Sequence, residues 1–123
     1  MKNKYFKFID NYKEDLLELI KETNIKKTND LKTKLVITNK RNGKVYIFGN
    51  GGSASTANHI STDLTKNAKI KSISVSNDNL ISCFSNDYSF ETWMQKYAEN
   101  FIEKKDTVIL ISTSGNSKNI LNL

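Results

Sequence analysis

The chain has 123 residues, 37% of them hydrophobic and 26% charged, with a formal net charge of +6. That length holds one domain of ordinary size, and the apolar content is enough for a packed core and too high for a disordered chain. The longest apolar runs, Val45–Phe48 and Val108–Ile111, fall far short of the roughly 18 residues that cross a bilayer. The N-terminus carries charge but no apolar signal core, so neither membrane insertion nor export is expected. The basic residues are scattered and Arg41 is the only arginine, which argues against the arginine forks that read bases and phosphates, and so against nucleic acid as a partner. A lone Cys83 allows no internal disulfide, in keeping with a reducing, cytoplasmic compartment.

From Tyr5 to Thr23, Phe8, Ile9, Tyr12, Leu16, Leu19 and Ile20 recur at helical spacing among lysines and acids, which predicts an amphipathic helix. A second helix is expected to open at a cap on Asn29 or Asp30, to carry Leu31, Leu35, Val36 and Ile37, and to stop at Asn42-Gly43. The helical N-terminal segment thus covers about residues 1–40 of a single domain spanning 1–123.

Val45–Phe48 is then a short run of β-formers, followed by Gly49-Asn50-Gly51-Gly52-Ser53 and a helical stretch from Ala54 to Lys66. A second unit reads as a strand over Ile70–Val75 with helices over Asn79–Phe84 and Phe90–Ile102. A third has Thr107–Ile111 as strand, Ser112-Thr113-Ser114-Gly115-Asn116-Ser117 as loop, and a helix opening at Ser117 or Lys118. Strands alternating with helices imply an α/β fold, a three-layer αβα sandwich on a parallel sheet. The last helix has run about one turn at Leu123, so the sheet is expected to be incomplete there and the domain to continue.

Two loops carry the chemistry. A glycine-rich turn between strand and helix brings backbone N–H groups and a helix N-terminus close to an anion, and hydroxyls at Ser53 and Ser55 add donors. Alone it could be no more than a tight connection. Ser112, Thr113, Ser114 and Ser117 recur at the equivalent place after another strand, and both loops then lie at the carboxyl edge of one parallel sheet, where open α/β folds bind ligands. Together they predict a phosphate cradle with polar groups for a polyol. Neither loop matches G-x-x-x-x-G-K-[ST] or G-x-G-x-x-G, so no nucleotide cofactor is expected.

His59 and Asp63 stand four apart, on one helical face, where such a pair can bind a metal, share proton transfer, or simply bond to each other at a surface. Asn86-Asp87 reads first as a turn. Trp93, Tyr97 and Phe101 form an aromatic stripe of the kind used for a core or a subunit interface. With the N-terminal helix it offers more apolar surface than a small domain needs, which predicts a dimer or tetramer. Cys83, beside Ile81 and Phe84, reads as an inert buried thiol.

In order and spacing, Phe48-Gly49-Asn50-Gly51-Gly52-Ser53-Ala54, His59 with Asp63, Ser85-Asn86-Asp87-Tyr88 and Ile111-Ser112-Thr113-Ser114-Gly115-Asn116-Ser117 resemble the SIS-domain family of phosphoheptose isomerases. The resemblance implies a cytoplasmic homotetramer that interconverts sedoheptulose 7-phosphate and a manno-type heptose 7-phosphate for surface-polysaccharide heptose synthesis. It implies substrate contacts at Asn50, Gly51, Gly52, Asn86 and Asp87, a phosphate cradle at Ser112, Thr113, Ser114 and Ser117, and zinc at His59 and Asp63. Asp63 stands where the classical isomerases place a catalytic glutamate one methylene longer, and the family's second catalytic group, a histidine accompanied by a metal-binding glutamine, would fall beyond Leu123. The alternative is a non-catalytic sugar-phosphate-binding or regulatory member, including the type that associates with the replication initiator.

Overall fold

The structure, a computed structural model, describes residues 2–123, with side chains from residue 4 onward. Contacts divide the chain into two compact units, Met1–Lys32 and Thr33–Leu123.

The first unit holds helix α1, Lys2–Lys21, and the opening of α2, which spans Ile25–Lys40. α2 starts earlier than the sequence suggests because Asn24, not Asn29 or Asp30, is the cap: its Oδ1 accepts from the Lys27 N–H at 3.0 Å. The apolar positions of α1 keep the expected helical spacing, yet Phe8, Tyr12, Leu16, Leu19 and Ile20 are 46–68% exposed.

In the second unit the sheet has three parallel strands, β1 (Val45–Gly49), β2 (Ser72–Ser74) and β3 (Thr107–Ile111), in the order β2-β1-β3. Val45 pairs with both Ser72 and Thr107, and the β1–β3 ladder runs on to Gly49 opposite Ile111. β2 is shorter than the Ile70–Val75 stretch that its composition suggests, although the Val75 N–H still reaches the Ile47 carbonyl at 3.1 Å.

Every residue of β1 is buried, and its alternating side chains feed two separate cores. Tyr46 and Phe48 pack on one face with Val75, Trp93, Met94, Tyr97 and Ile120. Val45 and Ile47 pack on the other with Ala57 and Ile70, joined by Leu35, Ile60, Leu64, Ile109 and Ile111. A core on each face of a parallel sheet is the three-layer arrangement that strand-helix alternation predicts.

The covering helices are α3 (Gly52–Lys66), α4 (Asp78–Asp87), α5 (Trp93–Phe101) and α6 (Lys118–Leu121). α4 opens on Asn77, whose side chain accepts from the Leu80 N–H at 3.1 Å, and it runs three residues beyond Phe84. Asn86 and Asp87 therefore form the last turn of a helix and not a connecting turn. α5 starts at Trp93 because Phe90 to Thr92 form a turn. Its aromatic stripe is divided: Trp93 and Tyr97 are core, whereas Phe101 is 52% exposed and stacks on Tyr97 at 4.7 Å between ring centroids. Burial pushes the Tyr97 phenol pKa up. Cys83 is exposed on α4, with its thiol donating to Asp87 Oδ2 at 3.7 Å, so it is not the buried thiol that its apolar neighbours suggest.

Below the sheet, Asp106 ties β1 to β3: its carboxylate accepts from the Lys44 N–H at 2.8 Å and from the Glu103 N–H at 2.9 Å. Among the described residues no helix is long and apolar enough to cross a membrane.

Candidate functional site

Neighbouring parallel strands deliver their following loops to the same edge of a sheet. The loop after β1 and the loop after β3 accordingly meet in a cleft of about 180 Å³ lined by Asn50, Ser53, Ile111, Ser112, Thr113, Ser114 and Ser117. No lysine or arginine lines it. The nearest cation in sequence, Lys118, is turned to Glu91 Oε1 at 2.8 Å, and that hydrogen bond holds its pKa above the ordinary value.

The first loop is shaped by the backbone. A Cβ at Gly49 would lie 2.5 Å from the Ser53 carbonyl carbon, so only glycine lets α3 fold back this close to the end of β1. Gly51 holds φ at 50°, in the left-handed region. The turn consumes much of the local donor supply: the Ser53 N–H bonds to Asn50 O at 2.9 Å, and the Ala54 and Ser55 N–H groups bond to Gly51 O at 3.0 and 3.2 Å. These three N–H groups serve the turn and not a cradle.

The second loop is shaped by its own hydroxyls. Ser112 Oγ accepts from the Gly115 N–H at 3.1 Å, and Ser114 Oγ accepts from the Asn116 N–H at 3.2 Å. A serine oxygen that accepts in this way keeps its O–H proton to give elsewhere. α6 has only four residues, so its dipole adds little, and the side-chain donors that line the cleft for an anion are the hydroxyls of Ser53, Ser112, Thr113, Ser114 and Ser117 with the Asn50 amide.

Asn50 is held by a residue that the motifs do not flag. Its Nδ2 donates to Asn119 Oδ1 at 2.9 Å, and Asn119 Nδ2 donates back to Asn50 Oδ1 at 2.9 Å. Asn119 is 2% exposed, and the only sequence signal for it is a polar residue within the first turn after the serine loop.

The other predicted site residues lie apart from the cleft lining. Gly51 caps α3, and Gly52 and Ser55 occupy its exposed start, outside the cleft wall. His59 and Asp63 stand further along α3, exposed, with His59 Nε2 3.4 Å from Asp63 Oδ2. Asp63 also accepts from Asn67 Nδ2 at 3.1 Å. Asn86 and Asp87 are exposed on α4, where Asn86 Nδ2 donates to Asp87 Oδ1 at 3.0 Å.

A catalytic zinc site takes about three protein ligands and a structural one four. His59 and Asp63 supply two, and among the described residues no group of three or more His, Cys, Asp or Glu is gathered. The donor set of this chain alone falls short of a zinc site.

The chain is 42% identical over 93 residues to the phosphoheptose isomerase of Helicobacter pylori (strain P12), covering 71% of this chain and 48% of that one. It is 39% identical over 106 residues to the phosphoheptose isomerase of Cytophaga hutchinsonii, covering 82% and 54%. The chain thus spans about half the length of the curated relatives it matches. Among solved structures, the phosphoheptose isomerase GmhA from Neisseria gonorrhoeae superposes with a TM-score of 0.85 at 22% identity, over 96% of this chain and 65% of that one. A phosphoheptose isomerase from Francisella tularensis does so with 0.85 at 24%, over 96% and 66%. At these identities the structural likeness is one of fold. A family model described as SIS domain matches residues 5–123, and with the parallel sheet and the paired loops in place the chain belongs to the SIS-domain family.

Proposed function

We propose that this chain forms the phosphate-binding part of an aldose–ketose isomerase acting on sedoheptulose 7-phosphate and a heptose 7-phosphate. The observation that carries the proposal is the meeting of the two serine-bearing loops in one cleft lined by neutral donors and free of lysine and arginine. Hydroxyl and amide donors fixed on strand ends hold a phosphate without needing a flexible cation. The naming of the 42% identical relative as a phosphoheptose isomerase supports the substrate class.

Isomerisation moves a proton between adjacent carbons of the sugar, which needs a base and a group that polarises the carbonyl oxygen. In this reading Asp63 is the base and Asn86 and Asp87 contact the sugar; their positions outside the single-chain cleft lining agree with a site completed by a second copy. The exposed apolar stripe of α1 is the surface we assign to that assembly, as a homotetramer in the cytoplasm. Zinc at His59 and Asp63 would need a third ligand from elsewhere, and metal analysis after chelation and readdition tests for it.

A second reading, a sugar-phosphate-binding regulator without turnover, is favoured by one observation: Asp63 is exposed and already accepts from Asn67. Titration with sedoheptulose 7-phosphate, sedoheptulose and inorganic phosphate, followed by an isomerisation assay, separates the readings. Binding with turnover supports the isomerase, binding without turnover the regulator, and absence of binding to both phosphates overturns both.

A further inference from the structure

We propose that Asn119 is a positioning residue for the cleft, acting through Asn50; the ligand part of this inference rests on the sugar-phosphate reading above. The two carboxamides exchange both of their hydrogen bonds at 2.9 Å across 69 residues of sequence. One partner sits in the loop after β1 and the other in the helix after the second loop, so the pair ties the two walls of the cleft together.

Burial makes the tie stiff. Asn119 is 2% exposed, and among the described residues its side chain has no hydrogen-bond partner besides Asn50. If Asn50 swung away, a buried amide would lose both bonds without water to replace them, which is costly compared with breaking the same pair at a surface. Turning the Asn50 amide alone would set N–H against N–H and oxygen against oxygen, so that motion is blocked too. Each carboxamide has two N–H donors and two acceptor lone pairs, and the pair uses one of each. Asn50, which lines the cleft, therefore keeps one N–H and one lone pair for a ligand, held at a fixed position. An uncoupled Asn50 would have to be ordered by the ligand at a cost in affinity.

The test is a double-mutant cycle read with sedoheptulose 7-phosphate as probe. Asn119→Ala is expected to weaken binding about tenfold, comparable with losing a hydrogen bond to a charged group. In a background carrying Asn50→Ala it should add little, because its effect passes through Asn50. An Asn119→Ala variant that binds like the parent, or whose loss adds in full to that of Asn50→Ala, overturns the proposal. Asn119→Asp keeps the shape and one of the two bonds, so it covers the case in which the alanine variant does not fold, and it too should bind more weakly than the parent. A readout without ligand separates this inference from the functional reading: the side-chain amide protons of Asn50, followed by NMR, should exchange faster and move toward exposed-asparagine positions in Asn119→Asp. Unchanged Asn50 signals overturn the clamp even if the sugar phosphate binds, and changed signals uphold it even if the parent fails to bind that sugar phosphate.

Discussion

The two loops of the cleft reach similar ends by different means. The loop after β1 is set by what its backbone cannot tolerate, a Cβ at Gly49, and the N–H groups of Ser53, Ala54 and Ser55 are spent on turning into α3. The loop after β3 is set by what its side chains supply, with the Ser112 and Ser114 oxygens accepting from Gly115 and Asn116. The difference teaches that steric demand and ligand chemistry are separable here. Adding bulk at Gly49 should cost stability, whereas losing a donor, at Ser112 and Ser114 or at Asn50 through its tie to Asn119, should cost affinity.

The largest expected effect is therefore at Gly49. Gly49→Ala places a Cβ 2.5 Å from backbone that cannot move without shifting α3, and overpacking of this kind should cost at least about 2 kcal/mol in a denaturant melt. Gly52→Ala, three residues on, meets nothing within 4 Å and should melt within about 0.5 kcal/mol of the parent. Equal losses at the two positions would dissolve the steric account of the first loop.

A second effect sharpens the contrast between the two ends of the strands. Asp106→Ala strips the partners from the Lys44 and Glu103 N–H groups, far from the cleft, and should destabilise by about 1–3 kcal/mol while leaving ligand affinity unchanged. Loss of affinity at fixed stability would mean that the two strand ends are coupled.

These loops were largely legible in the sequence, and for a physical reason. Glycine-rich and serine-rich stretches between a β-former run and a helix state both their position and their chemistry, so Ser112–Ser117 falls where it was expected, whereas the first loop is tighter than Gly49–Ser53, because β1 runs on to Gly49 and α3 opens at Gly52, two residues before Ala54. The strands of a parallel sheet announce themselves likewise, as Val45–Phe48 and Thr107–Ile111 do. What the sequence hid depends on partners distant in the chain or on choices between similar residues. Asn119 matters only because Asn50, 69 residues away, faces it. Asn24 and Asn29 are equally good caps by type, and the structure uses the first. Cys83 sits among apolar neighbours in sequence, but α4 turns it outward beside Asp87. Asn86-Asp87 reads as a turn by composition, and α4 simply runs through it to its end.

The smallest expected effect lies at the rim of the second loop. Lys118 and Glu91 are both mostly exposed, and exposed pairs contribute little. The raised pKa of Lys118 means that any contribution is present below its ordinary value of 10.5 and vanishes as pH rises through the folded value, so it is fully available at neutral pH. Glu91→Gln should nevertheless leave both the melting temperature and the affinity for sedoheptulose 7-phosphate unchanged. A clear gain of affinity would bring the released Lys118 into the cleft.

Where isomerisation is measurable, Asp63→Asn should bind the sugar phosphate within about twofold of the parent and lose turnover, since it removes the proposed base while keeping its shape. The central claim, that the hydroxyls of the second loop hold the phosphate, is tested most directly by replacing Ser112 and Ser114 together with alanine and titrating with sedoheptulose 7-phosphate by calorimetry. The double variant removes donors to a charged group worth about 1.5–3 kcal/mol each, so affinity should fall at least about tenfold while the protein remains folded. A folded double variant that binds as tightly as the parent would contradict the account.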